Sequence, residues 1–138
     1  MHIKLLMVVL LLSCSKANHP TTKTAAELLT QKTWKLVSHG YDENANGKIE
    51  GWEDNLVTCE TDNTYEFYVE GTGRYRDNEL FCQGTIEQQF TWQFINNESG
   101  LDFLYANVII KKLDEQTLIF MQDATDGQPA PYIITLAH

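Results

Sequence analysis

The sequence predicts an all-β fold, a small antiparallel up-and-down β-barrel of about eight strands with a short N-terminal helix. Three observations carry that prediction. From Trp34 onward apolar residues tend to recur at every second position, the period of a strand with one face buried. The alternating segments are short, and polar turns rich in Gly, Asn and Asp separate them. Past the N-terminal segment only TAAELLTQK reads as helix, so consecutive strands connect directly and a closed meander is the simplest topology.

The N-terminus, MHIKLLMVVLLLSCSK, places His2 and Lys4 before an apolar run from Leu5 to Leu12. That run is shorter than the roughly 20 residues a bilayer span needs, and it fits a secretory signal. Leu11-Leu12-Ser13-Cys14 resembles a bacterial lipobox, in which cleavage precedes the cysteine and the cysteine is acylated; an ordinary signal peptide is the competing reading. Residues 1–13 are therefore read as a lipoprotein signal, 14–24 as a lipidated polar tether containing Pro20, and 25–138 as the barrel domain.

Thr24 followed by Glu27 is a capping box at the start of the helix. In TWKLVSHGY, strict alternation sets Trp34, Leu36, Ser38 and Gly40 against Lys35, Val37, His39 and Tyr41. TYEFYVEGTGRYR alternates Tyr65, Phe67 and Val69 against Glu66, Tyr68 and Glu70 and turns back at Gly71-Thr72-Gly73, a hairpin. Phe90, Trp92 and Phe94 share a face of IEQQFTWQFI. LDFLYANVIIKKL reads as one segment, and TLIFMQDA and YIITLAH close the series.

Of the three cysteines, Cys14 is the lipidation candidate, leaving Cys59 and Cys82 as a pair. An exported chain meets an oxidising compartment, which favours a disulfide; free thiols or a thiol-ligated metal compete, but the chain has no CxxC. The formal charge of −9, which becomes −10 once Lys4 is cleaved away, excludes electrostatic nucleic-acid binding and opposes anionic lipid, so membrane attachment falls to the acyl chain. Catalytic residues are not expected. His2, His19 and His138 lie in the signal, the tether and the last position. No Ser-centred elbow, Cys–His pairing or HExxH is present.

Several features together resemble the bacterial lipocalin-like lipoproteins. They are the lipobox and tether, ELLTQKTWKLVS delivering Trp34 to the first strand, the acidic loop after it, and CETDNTYEFYVEGTG. Cys82, FTWQF, VIIKKLDEQTLIF and YIITL follow. Lys32 stands where the lipocalin Gly-x-Trp signature has glycine. The resemblance implies a barrel that binds a small apolar or amphipathic ligand, with Trp34, Tyr65, Phe67, Phe90, Trp92 and Phe94 lining the pocket. Read from the residues alone, the same six are core. The rival expectation is a filled barrel that serves as a structural or interaction module; its protein partners are not named by the sequence. The expected location is the bacterial outer membrane, facing the periplasm, because Ser15-Lys16-Ala17-Asn18 lacks an acidic export stretch.

One loop invites metal chemistry. In DENANGKIEGWE, Asp42, Asn44, Asn46, Lys48 (through its carbonyl), Glu50 (through water) and Glu53 fall at calcium-loop spacing, with Gly47 at the bend. Ca²⁺ is accordingly a candidate cofactor. A plain Asn-Gly turn is the alternative, since Asn, Asp and Gly tolerate positive φ and bond their own backbone. Strand-like sequence follows Glu53, so the segment is at most an EF-hand-like loop joining two strands.

Overall fold

The computed structural model describes residues 22–80, 82, 84, 86–104, 106–125 and 127–138. The signal segment, Cys14 and most of the tether lie outside the described residues. A helix, α1 (Ala25–Thr30), precedes eight strands: β1 (Trp34–Tyr41), β2 (Thr64–Phe67), β3 (Thr72–Arg76), β4 (Glu87–Ile95), β5 (Gly100–Phe103), β6 (Ala106–Leu113), β7 (Thr117–Gln122) and β8 (Tyr132–Ala137). Each pairs antiparallel with its neighbour, and β8 pairs with β1 to close an eight-stranded barrel. Closure removes both sheet edges, which are otherwise sites of aggregation.

Barrel geometry sets two ends. At one, α1 lies beside Trp34. The expected capping box is formed: the Glu27 amide donates to Thr24 Oγ1 at 3.2 Å, and the Thr24 amide to Glu27 Oε2 at 2.7 Å. Leu29, fully buried, ties the helix to the core, and Trp34 Nε1 donates to its carbonyl at 2.8 Å. The His138 ring stacks on Trp34 with centroids 3.8 Å apart. At the other end stand two long connections, residues 42–63 and the described residues of 77–86. The Cys59–Cys82 disulfide joins them, with Cα atoms 5.3 Å apart.

Between the ends the interior is a contiguous aromatic core. Phe67 on β2 reaches across the barrel to Phe103 on β5 and Phe120 on β7, at ring-centroid distances of 5.8 and 6.4 Å. Phe90 and Trp92 approach Phe67 within 5.4 and 6.0 Å. Such offset and edge-on pairs add to the burial of large apolar area. Gly73 permits this packing: a Cβ there would lie 2.3 Å from the Phe90 ring.

Three local expectations are corrected. The alternation of β1 is broken by a bulge between Leu36 and Ser38, which re-phases the strand. His39 then faces Ile134 and Tyr41 faces Tyr132. Ile134 packs against the core, so His39 and Tyr41 join Trp34 and Leu36 on the interior side, and Ser38 and Gly40 move to the exterior. The β2–β3 turn spans residues 68–71, with Gly73 paired to Phe67 inside the ladder; Val69 is therefore a turn residue and is 84% exposed. LDFLYANVIIKKL splits into β5 and β6 near Leu104, whose φ of 49° turns the chain back.

Gly40 marks where the 42–63 connection folds against the barrel wall. It bridges to Asp54, and a Cβ at Gly40 would sit 1.9 Å from the Glu53 carbonyl oxygen. Backbone cannot yield as a flexible side chain does, so Gly40→Ala is expected to destabilise the protein by about 1–3 kcal/mol. Chemical denaturation checks it. Ser38→Ala, on the same outer face, should be close to neutral.

Candidate binding site at the loop-bearing rim

The rim beneath the 42–63 connection is polar, in contrast to the aromatic middle of the barrel. The bulge at Val37 turns the His39 ring inward, where Nδ1 meets the Tyr132 hydroxyl and Nε2 lies 2.9 Å from Glu60 Oε2. With the proton on Nε2, His39 donates to Glu60 and accepts from Tyr132, so each polar group is satisfied. Tyr41 packs edge-on to Tyr132 at 4.9 Å. The Glu60 carboxyl also accepts from the Val57 amide at 3.1 Å. Burial alone would raise its pKa, but the His39 and Val57 hydrogen bonds outweigh burial and hold it below the ordinary carboxylate range. Burial pushes the Tyr132 and Tyr65 hydroxyls up.

One of two concavities borders this network. A cleft of about 300 Å³ opens at the rim, lined by Tyr41, Gln122, Asp123, Thr125, Gln128 and Tyr132. A larger, open concavity of about 770 Å³ runs along β3, β4 and β5, with Tyr68, Arg74, Gln89, Phe90, Phe103 and Leu104 among its walls. There Arg74 Nη2 and the Tyr68 hydroxyl both donate to Glu66 Oε2 at 2.5 Å. The Tyr68 hydrogen bond, with Arg74 beside it, keeps Glu66 ionised to lower pH against the opposing effect of burial.

Among the six aromatic residues expected at a ligand pocket, Trp34, Phe67, Phe90 and Trp92 are buried in the core. Tyr65 and Phe94 are partly buried against it. The structure thus brings them together inside the barrel, and of the six only Phe90 also borders either of these two concavities. Cys59 and Cys82 are joined as a disulfide.

In the 42–53 loop, Asp42 and Glu53 are buried to 5% and 4% exposure. The Gly47 amide donates to Asp42 Oδ2 at 2.8 Å and the Asn46 amide to Asp42 Oδ1 at 3.0 Å. Glu53 accepts from the Asn44 and Glu50 amides. Asn44 and Asn46 accept from the Asn46 and Lys48 amides, and Glu50 accepts from the Asn46 side chain. Gly47 has a φ of 80°, the left-handed bend its position asks for. Each carboxylate oxygen keeps a second lone pair. Among the described residues, no three His, Cys, Asp or Glu side chains converge to hold a metal. A cation here would therefore rely on amide and backbone oxygens as well.

The chain matches no family model and no curated protein. The site is accordingly read from its own geometry. Sequence reasoning missed the Tyr132–His39–Glu60 network because a bulge inverts the face of His39. The nearest signal was a lone histidine flanked by Ser38 and Gly40 in a strand, a weak place for regular alternation.

A group whose folded pKa is depressed contributes stability that is complete above its unfolded pKa and lost as pH falls through the folded value. Glu60 is such a group, so its contribution fades on acidification below an ordinary value near 4.5. Glu60→Gln is expected to lower the melting temperature at pH 7 and to narrow its deficit from wild type as pH drops toward 3. Parallel melting curves across that range check this; a deficit independent of pH would place the role of Glu60 in shape alone.

Proposed function

We propose that the chain is a lipid-anchored, lipocalin-like protein of the bacterial cell envelope that binds rather than catalyses. Its barrel interior serves as core, and the rim and open concavity serve recognition. The observation that carries this reading is the contact of Phe67 with Phe103 and Phe120 across the lumen. Rings meeting from opposite walls leave the middle of the barrel to side chains, as in small eight-stranded barrels generally. The disulfide supports an exported location. It also accounts for Cys59 and Cys82, leaving Cys14 in the lipobox-like sequence as the odd thiol and acylation site.

A small amphipathic ligand is a second reading, favoured by the concavity of about 770 Å³. That volume falls in the usual range for small-molecule sites, about 300–1,000 Å³. Phe90, Phe103 and Leu104 would meet its apolar part, and Arg74 and Tyr68 its polar end. Calcium would order the 42–53 loop. Two buried carboxylates, Asp42 and Glu53, share a loop in which Lys48 is the only base, and a bound cation offsets their repulsion.

Native mass spectrometry of the purified mature protein tests both readings together. An acylated chain with a co-purified amphipathic molecule, lost in Arg74→Ala, supports the concavity as a ligand site. An acylated chain carrying no such molecule leaves the filled-barrel interaction module. Cys14→Ala should move the protein from the membrane to the soluble fraction; continued membrane association refutes the anchor. Millimolar calcium is expected to raise the melting temperature of the wild type, with a smaller rise in Asp42→Ala. An equal rise in both excludes the loop as a calcium site.

A further inference from the structure

The rim cleft of about 300 Å³ has one wall built by strand register. Gln122 at the end of β7 pairs with Tyr132 at the start of β8, and Tyr132 pairs with Tyr41 at the end of β1. Directly opposed residues of antiparallel strands share a face, so these three side chains form one row across three strands. The connection from β7 to β8 adds Asp123, Thr125 and Gln128 to the lining. Within it the Gln128 amide donates to the Thr125 carbonyl at 2.9 Å. The Asp42 amide donates to the Pro131 carbonyl at 2.9 Å, which ties this connection to the 42–63 one.

The aromatic part of the wall is fixed in advance. The Tyr41 and Tyr132 ring planes meet at 73°. The Tyr132 hydroxyl is held by His39 Nδ1, and His39 Nε2 is held in turn by Glu60 Oε2 at 2.9 Å. A ring positioned before a ligand arrives spares that ligand an ordering cost.

Charge decides what the cleft can take. Asp123 is the one charged side chain on its lining, and among the described residues no Lys, Arg or His lies there. Burial raises the Tyr132 hydroxyl most, and Tyr41, Glu60 and Asp54 raise it further; the two carboxylates make the field at that wall negative. The formal charge of the whole chain is −9, which draws cations in the same sense. An anion is repelled, and a wholly apolar molecule would leave the Gln122 and Gln128 amides without partners. A compact cation instead meets tyrosine π-faces, the Asp123 carboxylate, and side-chain oxygens of Gln122, Thr125 and Gln128 that can accept from its N–H groups.

We propose that this cleft is a binding site for a small organic ammonium ion, with Tyr41 and Tyr132 as its aromatic walls and Asp123 as its counter-charge. The site rests on the rim being a recognition surface, and it shares no lining residue with the concavity along β3, β4 and β5.

The test titrates the mature chain with choline and, in parallel, with neohexanol, the neutral carbon analogue of choline, and follows aromatic ring-proton chemical shifts. Millimolar choline should move the Tyr41 and Tyr132 rings in a saturable way, and neohexanol should not. Tyr41→Leu should weaken the apparent affinity about fivefold, the scale of an exposed cation–π contact. Asp123→Asn should weaken it about threefold, the scale of an exposed ion pair. No saturable shift, an equal response to neohexanol, or an affinity that Asp123→Asn leaves unchanged overturns the proposal. Asp123 is exposed, so its variant decides the matter should Tyr41→Leu fail to fold. Choline shifts confined to Tyr68 and Phe90 would keep the recognition reading, at the other concavity, and overturn this site.

Discussion

A ring of eight strands encloses a lumen so narrow that side chains from opposite walls meet, and most of the molecule follows from filling it. Phe67, Phe103 and Phe120 supply the cross-lumen contacts, and Phe90 and Trp92 complete the layer around Phe67. Large rings fit only where a neighbour gives way, which explains Gly73 beside Phe90. Each buried apolar side chain contributes about 1.5–3 kcal/mol relative to exposure, so this layer is the dominant favourable term for a domain with one short helix. The conformational entropy of the chain opposes it throughout.

The two ends of the barrel solve different problems. At the helix end, Trp34 has an apolar body in the core and an indole N–H that must find an acceptor, and Leu29 supplies one from α1. At the opposite end two long connections must be held in place without an apolar core of their own. The disulfide, Glu60 on His39, and Asp62 and Asp77 on the Leu80 and Cys82 amides do this. Polar side chains gather at that rim because the long connections, not the aromatic core, occupy it.

Much of the fold was legible in the sequence, for physical reasons. Period-two alternation survives in β4, where Phe90, Trp92 and Phe94 share a face, and Thr24 with Glu27 forms a capping box because three-residue spacing sets both hydrogen bonds. The pairing of Cys59 with Cys82 followed from parity once Cys14 was set aside. The rest depended on events that composition does not announce. A single extra residue at Val37 inverted the faces of His39 and Tyr41, and a left-handed Leu104 cut one apparent segment into β5 and β6. The 42–53 loop shows the middle case: its spacing marked the bend at Gly47, while the amides that Asp42 and Glu53 would accept emerged only from the folded backbone. The placing of Asn63 opposite Asp77 was invisible, because strand register brings together residues 14 positions apart in the chain.

The filled lumen is the claim on which the functional reading turns, and aromatic nuclear Overhauser spectroscopy addresses it directly. With Phe67 and Phe120 centroids 6.4 Å apart, ring protons of β2 and β7 should show cross-lumen contacts in the mature protein without added ligand. Absence of those contacts, with water cross-peaks to the same rings, would describe a hydrated chamber and contradict the account.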